Sequence, residues 1–183
     1  MKYSVIISDE LERTVREHLF QNELEQGAFL FAQPVVTVDE ISLAASDGYF
    51  VQPEGWQVQH EVYLELKDSE RAKIMNLARQ RGLAIIDIHS HPGSNDDVWF
   101  SPSDRRGITD FAQYVKWKLG GKPYVAMVWG ETSVDAVIWH DPFEVANQVD
   151  EMRVGDPPIR VIIPTATWNQ KEEVFWDRSS SDE

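Results

Sequence analysis

A nearly continuous apolar run at residues 83–88, Leu-Ala-Ile-Ile-Asp-Ile, limits the possible folds more than any other feature of the sequence. Its length is that of a strand, and its composition predicts a buried one. Helical patterns at residues 68–82 and 101–121 lie on either side of it, each ended by glycine. Other strand patterns follow one another between the helices. The chain is therefore predicted to have an α/β (α+β) fold, with a mixed, curved β-sheet flanked by helices.

The other predicted elements complete this pattern. Strands are predicted at residues 2–8, 26–36, 37–44, 57–66, 124–129, 133–139 and 159–164, and helices at 9–19 and 142–152. The length of 183 residues fits one domain, which we place at residues 1–165. Residues 166–183 are predicted to be a C-terminal extension with a disordered end.

The overall charge and the absence of cysteine exclude several classes of function. A formal net charge of -14 opposes binding to nucleic acid or to an anionic membrane. The chain has no cysteine, which excludes disulfides, thiolate metal ligands and a cysteine nucleophile. No apolar segment is long enough for a signal peptide or a membrane span, so a cytoplasmic protein is expected.

Two of the five histidines, His89 and His91, follow the buried run and are two residues apart. Side chains at positions i and i+2 of a strand point to the same face, so both imidazoles can face one metal ion. The rigid apolar strand behind them suits a preorganised site. Of the other histidines, His18 is expected to be solvated and His140 to be structural.

A catalytic metal of the zinc type needs a third protein ligand. Asp104 is the best candidate because it lies in the first turn of a predicted helix, which fixes its position. The loop acids Asp96 and Asp97 are weaker candidates, because loop tips move. Ser101 and Asp104 also have a purely structural interpretation, as the N-cap and a first-turn acid of that helix.

Together, His89-Ser90-His91-Pro92 and Ser101-Pro102-Ser103-Asp104 resemble the motif of the JAB family, also called JAMM or MPN metallopeptidases. The family motif adds an upstream glutamate that is followed by small and apolar residues. Residues 25–32, Glu-Gln-Gly-Ala-Phe-Leu-Phe-Ala, fit this pattern, and Glu23 fits it less well. The loop between the second histidine and the serine, residues 92–100, is longer than is usual in the family. The resemblance covers residues 1 to about 140 and implies a cytidine-deaminase-like JAB/MPN architecture.

The resemblance also implies a role for each matched residue. His89, His91 and Asp104 would bind zinc, Glu25 would be the general base and acid, and Ser101 would hydrogen-bond the oxyanion. The activity implied is that of a zinc-dependent isopeptidase or peptidase.

The implied substrate is a ubiquitin-like protein, cut after its C-terminal glycine during deconjugation or precursor processing. Trp99 and Phe100 would wall a narrow groove that accepts glycine. Proteins resembling activating or conjugating enzymes are possible partners, and neither nucleic acid nor a membrane is expected. Two alternatives remain: processing of a sulfur-carrier protein, and a non-catalytic MPN-like scaffold.

Overall fold

The computed structural model describes residues 1–94 and 97–169. These residues form three α-helices and eleven strands. The helices are α1 (Asp9–Leu19), α2 (Asp68–Arg81) and α3 (Pro102–Leu119). The strands are β1 (Lys2–Ile7), β2 (Gly27–Val36), β3 (Glu40–Phe50), β4 (Trp56–Gln59), β5 (Leu64–Leu66), β6 (Ala84–Ser90), β7 (Tyr124–Trp129), β8 (Val134–Trp139), β9 (Asn147–Gln148), β10 (Glu151–Val154) and β11 (Arg160–Ile162).

Nine strands form one mixed sheet in the order β11-β10-β1-β3-β2-β6-β7-β8-β9. β1 runs parallel to both β3 and β10, and β6 runs parallel to β7. The other neighbouring pairs are antiparallel. β4 and β5 form a separate two-stranded hairpin. The predicted α+β class, with a mixed sheet flanked by helices, is confirmed.

The two faces of the sheet bury separate hydrophobic clusters. α1 covers one face, where its Val15 packs with Ile86 and Ile88 of β6. α2 and α3 cover the other face, where Ile74 and Ile85 belong to the second cluster. Since side chains alternate along a strand, the face of β6 that contains Ile85 also carries Asp87 and His89. The histidine motif therefore faces α2 and α3.

The prediction of one strand over residues 57–66 is wrong. The chain turns at residues 60–63, where His60 N donates to Tyr63 O over 2.9 Å, and the segment forms the β4–β5 hairpin. Val62 was expected to share a face with its apolar neighbours, but it lies in the turn and is 80% exposed. Side chains alternate between the two faces only along a continuous strand. A turn interrupts this alternation, so a period of two that is counted across the turn predicts the wrong face.

The helix predicted at residues 142–152 is also wrong, because this segment contains β9 and the first two residues of β10. Phe143 has a left-handed backbone with φ 67°, and its N–H donates to His140 O over 2.5 Å in a tight turn. Further along, Val5 of β1 pairs with Met152. Pairing with β1 satisfies the backbone of β10 in a way that the local sequence does not reveal.

Two residues of the predicted C-terminal extension pack against the domain that the sequence places at residues 1–165. Thr167 is only 5% exposed, and Trp168 packs against the core cluster on the α2 and α3 face. The disordered end that the sequence predicts, residues 177–183, lies outside the described residues. Among those residues, no helix is long and apolar enough to cross a membrane.

Candidate metal centre

β6 positions the two histidines, and its backbone is held on both sides. On one side Gly27, the first residue of β2, pairs with His89. On the other side, His91 N donates to Trp129 O over 2.9 Å. Ser90 lies between the ligands with its side chain on the opposite face, as expected, and is fully buried. Its Oγ accepts from Gln26 N over 2.9 Å, so the motif is tied to the start of β2.

The structure brings His89, His91 and Asp104 together. Asp104 Oδ2 lies 3.5 Å from His89 Nε2 and 3.3 Å from His91 Nε2. All three ligand atoms lie within 4.8 Å of one another. Ligands at zinc bond lengths in a tetrahedron are separated by about 3.4 Å. The two measured separations, 3.3 and 3.5 Å, are therefore compatible with three ligands of one metal ion.

His89 has an unsatisfied atom that a metal would satisfy. Its Nε2 is buried and has no hydrogen-bond partner among the described residues. Buried polar atoms without a partner are rare in native proteins, and an absent ion is one established explanation. Two imidazoles and a carboxylate form a donor set that suits zinc and other transition metals. The residues present therefore fit a metal ion.

The charges around the site are strongly coupled. Burial lowers the pKa of His89, but the surrounding carboxylates, led by Asp104, outweigh this and raise it to about 9. Burial lowers the pKa of His91. Burial opposes ionisation of Asp104, yet the two imidazoles hold the pKa of that carboxyl well below its usual range. The raised pKa of His89 means that a metal has to compete with a proton for this imidazole.

Asp104 is fixed by a reciprocal cap at the start of α3. Ser101 Oγ accepts from Asp104 N over 3.1 Å, and Asp104 Oδ2 accepts from Ser101 N over 2.7 Å. Pro102 occupies the first helical turn, as the sequence predicts. The cap locks the rotamer of Asp104 while leaving Oδ2 close to both histidines. The structural and the metal-binding interpretations of this residue are therefore compatible.

Glu25 is the fourth acidic or imidazole side chain at the site. It is 5% exposed, and its Oε1 lies 3.5 Å from His91 Nε2. Its backbone is held by the β4–β5 hairpin: Glu25 N donates to His60 O over 3.0 Å, and Gln59 Nε2 donates to Glu25 O over 2.9 Å. Burial raises the pKa of Glu25 to about 7. Glu23 is exposed, so geometry favours Glu25 of the two candidates.

A cavity of about 470 Å³ adjoins the site, with Glu25, His89 and Asp104 in its wall. The β4–β5 hairpin and α3 supply most of the apolar lining, and α3 also contributes Ser103. Asp87 lines the cavity two residues before the first ligand and accepts from the Tyr124 hydroxyl over 3.0 Å. Burial raises the pKa of Asp87 to about 6.

The residues that the sequence proposed for a groove are placed differently. Phe100 is fully buried, with its ring centroid 6.2 Å from that of His89, so it supports the site from within the core. Trp99 is half-buried and is not part of the cavity wall. The aromatic residues of that wall, which sequence reasoning did not assign to the site, include Trp56 and Phe111. They come from the β4–β5 hairpin and from α3, and the local sequence does not reveal that these two elements pack around one cavity.

Three further expectations can be compared with the structure. Ser101 Oγ is used in the helix cap and lies 2.9 Å from Ser103 Oγ, and of these two it is Ser103 that lines the cavity. Asp97 is exposed, and Asp96 lies outside the described residues. His18, expected to be solvated, is half-buried, and its Nε2 lies 3.1 Å from Gly27 O.

Comparison with known proteins gives a likeness of fold only. No protein-family model matches the chain, and no curated protein matches it. Among solved structures, the solution structure of protein DSY2949 from Desulfitobacterium hafniense is similar, with a TM-score of 0.51. The two sequences are 12% identical, and the match covers 82% of this chain and 94% of that protein.

Proposed function

We propose that the chain is a zinc-dependent peptidase of the JAB/JAMM type that cleaves after the C-terminal glycine of a ubiquitin-like protein. The observation that carries this proposal is the buried Glu25 carboxylate beside a three-residue metal-binding group, with its Oε1 3.5 Å from His91 Nε2. If these residues only stabilised the fold, they would not need an additional acid that lines a cavity and has a pKa near neutrality.

Each side chain at the site has a distinct part in the proposed reaction. His89, His91 and Asp104 would hold the metal. A bound zinc ion would supply Lewis acidity, lowering the pKa of a ligated water to about 7 and polarising a carbonyl. Glu25, with a pKa of about 7 in the metal-free site, can take a proton from the attacking water and deliver it to the leaving amine.

The oxyanion donor is the least defined of these roles. The hydroxyl of Ser101 accepts the N–H of Asp104, and its own proton is free to reach either Ser103 or a substrate oxygen. Ser103 has the same chemistry and already faces the cavity. In the proposed reaction Ser101 donates the hydrogen bond to the oxyanion. Ser103 is the competing candidate for this role, because its side chain lines the cavity.

The β4–β5 hairpin supports an extended substrate. Its residues Leu64–Leu66, which are β5, line the cavity, and this strand pairs only with β4 among the described residues. A flexible tail can add to such an edge through main-chain hydrogen bonds, with little demand on its side chains.

The decisive experiment pairs Glu25→Gln with the matched control Glu23→Gln. Purified wild-type protein should carry about one zinc per chain. It should release a reporter fused to the C-terminal glycine of a ubiquitin-like protein, and a chelator should stop the release. Glu25→Gln should keep the zinc and lose at least about 100-fold in rate, because general base catalysis is removed. Glu23→Gln should cleave like the wild type.

Other outcomes separate the competing functions. Cleavage restricted to sulfur-carrier fusions would select processing of a sulfur carrier over deconjugation. Degradation of a generic unfolded protein, with every fusion intact, would replace the isopeptidase by a general metalloprotease. If the wild-type protein binds zinc but cleaves none of these substrates, the non-catalytic scaffold is the remaining alternative.

A further inference from the structure

One backbone amide holds the side-chain oxygen of the metal ligand Asp104. Ser101 N–H donates to Asp104 Oδ2 over 2.7 Å, and the same oxygen lies 3.3 Å from His91 Nε2. This N–H belongs to the peptide unit whose other end is the carbonyl of Phe100. A planar peptide moves as one body, so the position of the Phe100 carbonyl sets the direction of the N–H. Whatever holds that carbonyl also helps to aim Asp104 Oδ2.

Arg105 holds the carbonyl. Its Nε donates to Phe100 O over 3.2 Å, and its Nη2 donates to Thr167 O over 3.0 Å. The planar guanidinium thus bridges two carbonyls with a fixed geometry that a lysine ammonium cannot reproduce. A cation on the carbonyl also polarises the peptide and strengthens the hydrogen bond that its N–H makes to the carboxylate. Arg105 therefore acts on its neighbour in sequence through the Phe100–Ser101 peptide.

Thr167 holds the same peptide segment from a second side. Its Oγ1 accepts from Phe100 N over 3.3 Å and donates to Asp135 Oδ2 over 2.5 Å. Phe100 is consequently fixed at both its N–H and its carbonyl. Trp168 completes the contact, with its ring centroid 5.1 Å from that of Phe100. We name residues 165–168 the C-terminal strap.

A buried carboxylate anchors the C-terminal strap to the sheet. Asp135 of β8 is fully buried and accepts from Ala166 N over 3.1 Å and from Thr167 N over 2.8 Å. Ala166 has φ 62°, a left-handed conformation that alanine rarely adopts. This conformation turns two successive N–H groups toward one anion, as in the backbone nests that bind phosphate. Thr165 ties the strap to the loop as well, because its Oγ1 donates to Val98 O over 2.6 Å.

We propose that Arg105 and the C-terminal strap are positioning elements of the metal centre, which fix the Phe100–Ser101 peptide and thereby aim Asp104 at the metal. This inference rests on the metal-binding part of the proposed function and is independent of the substrate. Its competitor is a purely structural role, in which the C-terminal strap closes the core and has no effect on the ligands. The two differ in what happens to the metal in folded protein.

The first test is the full-length variant Arg105→Lys, which keeps the charge and loses the two-carbonyl bridge. Zinc affinity is measured by competition with a chromogenic chelator, and the visible spectrum of the cobalt-substituted protein reports ligand geometry. Partners that orient a ligand typically change metal affinity by about 10- to 100-fold. We expect Arg105→Lys to weaken zinc binding by about 10-fold or more and to change the cobalt spectrum. Arg13→Lys, on the exposed face of α1, is the matched control.

The second test uses Thr167. Thr167→Val removes the hydroxyl at nearly constant volume, and Thr167→Ser retains it. The valine variant should bind zinc several-fold more weakly, and the serine variant should restore most of the affinity. Thr14→Val is the control for the substitution itself, because it removes a hydroxyl on α1 that donates to Glu10 O over 2.9 Å and has no bond to Phe100 or Asp135.

Each outcome decides between the two roles. Suppose that folded Arg105→Lys and Thr167→Val bind zinc like the wild type, keep its cobalt spectrum and are only less resistant to urea. That result would overturn the inference and leave a structural role. If Arg105→Lys does not fold, the Thr167 pair decides. A wild-type protein that binds no metal would overturn both the metal centre and this inference. A wild type that binds zinc but cleaves nothing would count against the peptidase alone.

Discussion

Replacing Glu25 by glutamine should make the metal-free protein more stable while it removes the proposed activity. The side chain is 5% exposed, and burial is the main reason why its pKa rises from 4.5 to about 7. A carboxylate that the fold holds away from water in this way costs stability whenever it is ionised. Glutamine keeps the shape of the side chain and removes the charge.

The size and sign of the effect follow from the pKa of Glu25. The folded state keeps the proton up to about pH 7, whereas the unfolded chain releases it near 4.5. The stabilisation is therefore complete below 4.5 and is lost as the pH rises through 7. The difference between the folded and unfolded pKa values corresponds to about 3 kcal/mol in the free energy of unfolding. About 2 kcal/mol of this is lost between about pH 5.5 and about pH 8. Relative to the wild type, Glu25→Gln should gain about 2 kcal/mol over that range.

The assay is urea unfolding of both proteins in the presence of a chelator, at several pH values in this range. The lower limit stays above the isoelectric point of about 4.7, where aggregation would interfere. Glu23→Gln is the control, because an exposed glutamate has an ordinary environment and its replacement should give a pH-independent difference. The reasoning is refuted if the difference between Glu25→Gln and the wild type stays constant with pH or shrinks as the pH rises.

Three further predictions concern the metal, the buried anchor and the serines. His89→Ala should lose most of the bound zinc in elemental analysis, and wild-type zinc affinity should fall as the pH is lowered below about 9, because the metal displaces a proton from His89. Asp135→Ala should lower the free energy of unfolding by about 3 kcal/mol or more in a denaturation assay, because it removes the acceptor of buried N–H groups. The control Asp47→Ala, which breaks an exposed ion pair, should lower it by at most about 1 kcal/mol. Steady-state kinetics of Ser101→Ala and Ser103→Ala should show the larger loss of kcat in Ser101→Ala, and the reverse order would transfer the oxyanion role to Ser103.

The parts of the site that could be predicted from sequence depend on local rules. His89 and His91 share a face because a strand has a period of two, and Asp104 is fixed because a cap defines the start of its helix. These rules act over a few residues, so the sequence is sufficient to apply them. The same rules gave the central strand, β6, and the three helices that flank the sheet.

The parts that were missed depend on contacts between distant residues. Gln59 holds the backbone of Glu25, and Asp135 holds that of Thr167. In the sequence, Gln59 is one polar residue of a short strand, and Asp135 looks like the outward residue of an alternating strand. Phe100 was assigned to a groove because an irregular loop has no period from which its direction could be predicted. The sequence predicts a helix over residues 142–152, but the strands in this segment owe their conformation to pairing with distant partners, β9 with β8 and β10 with β1.

The C-terminal strap also has a consequence for the order in which the chain is made. The strands β2, β3, β6 and β7 lie side by side in the sheet, and residues 27–129, which contain them, also contain all three metal ligands. Synthesis reaches residues 165–168 only after every described strand of the sheet has been made. A nascent chain that stops short of Thr167 has both histidines and Asp104, but nothing yet holds the N–H of Phe100. We therefore expect the growing polypeptide to acquire firm zinc binding late, well after its ligands have been translated.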